Sequence, residues 1–288
     1  DHPAMRRPAV FAWETFDDLL RKGLKVWLFY LTVLFFFRLF FLGWMQEYLG
    51  AGTGAEDVLA AIVRGTRLSC QTAGALTLVA LVPGALTHYL LPRIENVCWK
   101  AAAGAELIVL SVLYVASFPY YRQFHTNFSQ LMFNAANDDV WALFLSLVQE
   151  FYLPVRLAGA LLLAYVLWRL FSAFVLAWHG PRLAFAARLA LPLRLAVRAL
   201  ALGVCYLVAL LSLFGGSLGW QTAVDWENAG VTRDEFLNEA ILDSLQAVHR
   251  GYVLQHRMLA CNGLDFTVDD IRALAALHAG MEPASDDL

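Results

Sequence analysis

The side chains with the most chemical potential gather in one stretch, YYRQFHTNFSQLMFNAANDD, at residues 120–139. Tyr120, Tyr121, Arg122, His125, Asn127, Asp138 and Asp139 all fall there. An arginine among hydrogen-bond donors is a set that orients a lipid phosphate, because its planar fork meets two phosphate oxygens at once. The same residues suit a second role, since aromatic and Arg side chains anchor a segment at the headgroup level of a bilayer. Asp138 and Asp139 offer two carboxylates to a cation, but adjacent acids at a helix N-terminus are stabilised by its free amides without any metal.

Three further charges stand inside apolar runs. Arg38 lies two-thirds of the way along the first run, where a charge is expensive and must face protein, water or a headgroup. It is either a structural residue or a contact for an anionic lipid phosphate. Glu106 and Arg169 each sit about 10 Å deep by helical rise, and their opposite charges predict an intramembrane ion pair that holds helices together. Metal-ligand patterns are missing. His249 and His256 share a helical face but stand ~10 Å apart along the axis, too far to share an ion. Cys70, Cys98, Cys205 and Cys261 are scattered without a CxxC, as expected of small buried hydrophobes. There is no Walker A sequence and no HExxH, so neither a catalytic constellation nor a bound metal is expected in this chain.

The elements that must position these groups are membrane spans. Of the 288 residues 60% are hydrophobic and 16% charged, against about 45–50% and ~25% in a soluble domain. A net charge of −3 argues against a nucleic-acid surface. A hydrocarbon core of ~30 Å needs about 20 apolar residues in a helix, and five runs qualify: 24–45, 69–91, 100–118, 154–176 and 197–218. The reading is an all-α polytopic membrane protein, with a transmembrane domain over 1–218 and a helical linker over 219–288. With the N-terminus in the cytoplasm, Arg6, Arg7, Arg21, Lys22, Lys25, Arg93, Lys100, Arg182, Arg188, Arg194 and Arg198 lie inside and only Arg64, Arg67 and Arg122 outside. Eleven against three sets the orientation. The tail then emerges on the extracytoplasmic side.

The remaining segments carry helical patterns. The fourth loop, HGPRLAFAARLALPLRLAVR, alternates Arg with apolar residues and is expected along the inner leaflet, against anionic headgroups. Residues 122–152 predict two short amphipathic helices at the outer interface, the second capped by Asn137 or Asp138. In the tail, Thr232 is the expected N-cap of a helix of roughly 25 residues, and Thr267 with Asp270 begins a shorter one. No domain-sized core outside the membrane precedes the closing ASDDL.

Five spans with an outside C-terminus, PYYRQF at Pro119–Phe124, FHTNFSQLMFNAANDD and the tail's FLNEAILDSLQAVHRGY together resemble the membrane portion of the lipoteichoic acid synthase family, relatives of sulfatases that transfer phosphoglycerol or phosphoethanolamine. The resemblance implies a bacterial cytoplasmic membrane location and an enzyme that moves a lipid-headgroup phosphoester through a phosphorylated threonine beside a divalent metal, often manganese. Those groups belong to an extracytoplasmic domain expected after Leu288, so no catalytic residue carries over. This chain would anchor that domain and handle its lipid. Two other readings stay open: a transporter or channel subunit, for which Pro83-Gly84 predicts a break in the second span, and a membrane scaffold that binds a partner through the tail helix.

Overall fold

The computed structural model describes residues 13–134, 140–177 and 191–260, and among these every regular element is helical. Five helices are long and apolar enough to cross a membrane. They are α1 (Trp13–Trp44), α2 (Ala55–Leu90), α3 (Glu95–Phe124), α6 (Leu153–Phe171, prolonged by a π-helical turn over Ser172–Ala177) and α7 (Leu191–Leu213). Between α3 and α6 lie the short α4 (Leu131–Asn134) and α5 (Val140–Gln149). The tail carries α8 (Glu235–Ile241) and α9 (Ser244–Ala260). At 1.5 Å per residue the 36 residues of α2 run ~54 Å, well beyond the hydrocarbon thickness.

The second helix is the hub of the bundle: it packs on α1, α3, α7 and α8. Its sequence explains this, because the buried face is built largely from Ala61, Gly65, Ser69, Ala73, Gly74, Ala80 and Gly84. Small residues let spanning helices approach closely, where contacts and interhelical hydrogen bonds replace the hydrophobic effect. A Cβ on Gly74 would meet the Ser212 side chain at 2.5 Å, and one on Gly84 would meet the Trp99 indole at 2.4 Å. Trp27 Nε1 donates to Ser212 Oγ at 2.8 Å and Trp168 Nε1 to the Lys100 carbonyl at 2.9 Å, tying α1 to α7 and α6 to α3. At one end Glu95 receives Lys22 at 2.5 Å and faces His88 Nδ1 at 2.9 Å, joining α1, α2 and α3.

Several expectations change. No break occurs at Pro83-Gly84: α2 runs through both residues, and Thr87 Oγ1 donates to the carbonyls of Pro83 and Gly84. The third span continues to Phe124 because its apolar face finds partners past the expected end. His125 then turns left-handed with φ 52°, so the first of the two expected interfacial helices shrinks to the four residues of α4. The fifth span starts earlier, at Leu191, and stops at Leu213. Gly215 (φ 59°) and Gly216 (φ 69°) turn the chain just beyond, a conformation that favours glycine. The tail helix divides in two after Ile241, and its N-cap is Asp234, whose carboxylate accepts from the Leu237 amide, not Thr232. The fourth loop's 178–190, the caps at Asn137 and Asp138, and the helix at Thr267 lie outside the described residues.

The tight Gly84–Trp99 contact makes a direct prediction. Gly84→Leu should lower the unfolding midpoint of the detergent-solubilised protein, at a cost of about 1–3 kcal/mol from overpacking. Gly43→Ala, where an added Cβ meets nothing within 4 Å, should leave the midpoint in place, and a thermal melt of both variants checks the pair.

Candidate functional site

Two of the residues that sequence spacing singled out, Arg38 and Asn127, meet the tail where it folds back on the bundle, among charged tail residues that spacing did not mark. Asp234 starts the arrangement: one oxygen caps α8, while the other accepts from the Gly50 amide at 2.9 Å and from the Thr53 hydroxyl. Burial works to raise this carboxyl, but the Thr53 hydroxyl and the Gly50 and Leu237 amides hold it below the ordinary aspartate range. The tail is thereby fastened to the α1–α2 loop before α8 begins. Phe236, Leu237, Ala240 and Ile241 then bury one face of α8 among Phe41, Tyr121 and neighbouring apolar side chains.

A helix end leaves carbonyls without intrahelical partners. At the C-terminus of α8 those of Ala240 and Ile241 are met by Arg38, whose Nε donates to Ala240 at 3.2 Å and whose Nη2 donates to Ile241 at 3.0 Å. Nη2 also donates to Ser69 Oγ at 2.7 Å. Two residues on, Asp243 points into the same place, accepting from Thr72 at 2.7 Å and Ser69 at 3.2 Å while capping α9 through the Gln246 amide. Arg38 is only 5% exposed and Asp243 9%. Burial pushes the Asp243 carboxyl up from its ordinary value, against the Thr72, Gln246, Arg38 and Ser69 interactions that favour its charged form. Gly65 admits the guanidinium, since a Cβ there would stand 2.4 Å from Arg38 Nε.

A second clasp holds the loop after α3. Glu239 accepts from the Asn127 amide at 2.8 Å and the Thr126 hydroxyl at 3.1 Å, and takes both arms of Arg250 at 2.9 and 2.7 Å. Asn127 Nδ2 donates to the carbonyls of Glu239 and Leu242. Gly251 lets α9 come down onto the loop, because a Cβ would meet the Ser129 backbone at 2.9 Å. Burial alone would raise Glu239, yet the Arg250 pair and the Asn127 and Thr126 donors hold it below the ordinary glutamate range.

The predicted phosphate-binding group is therefore split, because successive residues on α3 point about 100° apart. Tyr120 faces the α6 side and bonds Ser129 Oγ at 2.9 Å. Tyr121 is buried against Phe41, Tyr48 and Phe236. Arg122 is exposed, 3.7 Å from Glu47, and His125 lies against Tyr48. Asn127 belongs to the tail clasp, and Asp138 and Asp139 lie outside the described residues. Arg38 meets α8 carbonyls where a headgroup was the alternative. The ion pair expected between Glu106 and Arg169 is not formed: Glu106 accepts from the Tyr30 hydroxyl inside the bundle, while Arg169 donates to Tyr165 on the lipid-facing side. Charge and depth alone could not show that α3 and α6 present these two residues to different surroundings.

Gly215-Gly216-Ser217-Leu218-Gly219 has the spacing of a GxSxG nucleophile turn. Its context is wrong for that role, because Ser217 sits in a turn between helices with its hydroxyl donating to the Thr222 carbonyl and accepting from Arg67. No cluster of three or more His, Cys, Asp or Glu that could hold a metal occurs among the described residues. The chain matches no family model, no curated protein and no solved structure.

Two predictions follow the two clasps. Arg38→Met leaves the Ala240 and Ile241 carbonyls without their donor and should cost about 1–3 kcal/mol for each buried group left unpaired, seen as new protease cleavage and faster amide exchange across 235–250. For Glu239, a folded pKa held below the unfolded glutamate's 4.5 means that its stabilisation is complete above pH 4.5 and is lost as pH falls through the depressed value. The stability advantage of the native chain over Glu239→Gln should thus be largest near neutrality and shrink below pH 4.5 in melts run across pH.

Proposed function

We propose that this chain is the membrane-anchoring and lipid-positioning domain of an enzyme that transfers phosphoglycerol or phosphoethanolamine headgroups in the bacterial cell envelope, of the lipoteichoic acid synthase kind. The observation that supports it best is the tail: the segment leaving the fifth span is built into the bundle through Arg38, Asp243 and Glu239. A tail that merely left the membrane would not need buried charges. One locked this way fixes the position and direction of whatever it carries.

In this reading the N-terminus is cytoplasmic and the tail extracytoplasmic, as the Lys and Arg distribution favours. Five helices long and apolar enough to cross support termini on opposite sides, because each crossing reverses the side. The threonine nucleophile and the manganese would belong to the extracytoplasmic domain, while this chain supplies the anchor and the access to lipid. Its partners would be membrane lipids and that domain.

The natural full-length protein, reconstituted with manganese, should release diacylglycerol from phosphatidylglycerol or phosphatidylethanolamine as the headgroup moves to an acceptor. Arg38→Met, which frees the tail, should slow that release about tenfold or more by misplacing the active site relative to its lipid. No diacylglycerol from either lipid would sink the proposal.

A further inference from the structure

One side of the bundle has an opening that the described part of the tail, up to Ala260, does not line. Between the last four turns of α3, the short α5 and the first turns of α6 lies a cavity of about 460 Å³. Its walls include Val112, Val115, Phe128, Leu147 and Leu157, with Ala116 and Ala160 at the back. The alanines leave room where larger residues would close the space. Such a volume is typical of sites for small organic ligands, ~300–1,000 Å³. Two of its three walls are spanning helices, so in a bilayer the opening faces hydrocarbon and a lipid reaches it by lateral diffusion.

The polar groups lie toward one end. Gln123 is one residue from the end of α3, Glu150 precedes α6, and Arg156 lies in the first turn of α6. Tyr152 takes a left-handed conformation, φ 50°, and Arg156 Nε donates to the Phe151 carbonyl at 2.7 Å. That bond fixes the guanidinium by one nitrogen. Its two remaining nitrogens make no hydrogen bond or ion pair with a described residue. They are left for an external acceptor, at the depth where headgroups begin, about 4.5 Å along α6 from its start.

We propose that this cavity holds an acyl chain of one glycerophospholipid whose phosphate is gripped by Arg156. A bidentate Arg–phosphate contact suits the two free nitrogens. Glu150, which accepts from Ser146 at 3.1 Å, lines the same cavity and offers an acceptor for an ammonium or hydroxyl on the headgroup. The acyl chain fits the apolar walls, and the phosphate gives a partner to the arginine at the polar end of the cavity. This rests on the lipid-positioning reading and moves the lipid from Arg122 and His125, which face elsewhere, to the α3–α6 side.

The test uses the full chain in phosphatidylcholine vesicles doped with phosphatidylglycerol or with diacylglycerol, each carrying a diazirine at the end of one acyl chain. Irradiation should place the phosphatidylglycerol label on 112–124 and 153–160. Arg156→Gln should cut that labelling about tenfold, as expected for loss of a charged hydrogen-bonding group, and leave diacylglycerol labelling unchanged. Val115→Trp should suppress both, and Ala116→Leu gives a second filling variant should the first melt early. Label spread evenly over α7 and the other lipid-facing helices, or phosphatidylglycerol labelling that ignores Arg156→Gln, would overturn the proposal. Its failure is separable from that of the enzyme reading: diacylglycerol release by the full-length protein with no labelled cavity removes only the lipid site, and a labelled cavity without headgroup transfer removes only the enzyme.

Discussion

A guanidinium inside a spanning helix constrains the whole tail-bearing end of this bundle. Arg38 on α1 is too costly to leave in hydrocarbon, and α1 and α2 alone offer it Ser69. The carbonyls at the end of α8 complete the set. Their partial negative charge is what a cation meets at a helix C-terminus. The dependence is mutual, because Asp243 on the tail would be equally costly without Thr72, Ser69 and Arg38 nearby. Gly65 makes the meeting possible by leaving the space that Arg38 fills. Three segments distant in sequence are thus each conditional on the other two.

What the sequence reveals of this depends on the range of the physics involved. Spanning helices are local events, since each satisfies its own backbone and needs only about 20 apolar residues. All five were therefore legible from composition along the chain. Their ends were less so: α3 reaches Phe124 because Tyr121 packs against Phe236 of α8, a contact between residues far apart in the chain. The cost of Arg38 was legible and its solution was not, because nothing in FLNEAILDSL marks Ala240 and Ile241 as the carbonyls it would meet. Glu106 and Arg169 show the same limit. Similar depth made them a pair on paper, while rotation about α3 and α6 sends one to Tyr30 and the other outward.

The two sides of the bundle differ in how they are held. Around α1 and α2 the buried groups are paired across segments, and small residues bring backbones together. On the other side α3 and α6 pack along one another, and the cavity opens beside them with α5 at its edge. Deep burial and charge pairing fix geometry, whereas an apolar gap bounded by a short helix is cheaper to rearrange.

The loop after α3 joins the two sides. Asn127 is held by Glu239 and by the carbonyls of the tail, while its neighbour Phe128 lines the cavity and Tyr120 reaches across to Ser129. Phe128 is thus one residue from Asn127, which Glu239 holds, and the Arg250 pair of Glu239 ties the same point to α9. The cavity and α9 are therefore separated by one short, hydrogen-bonded turn of chain.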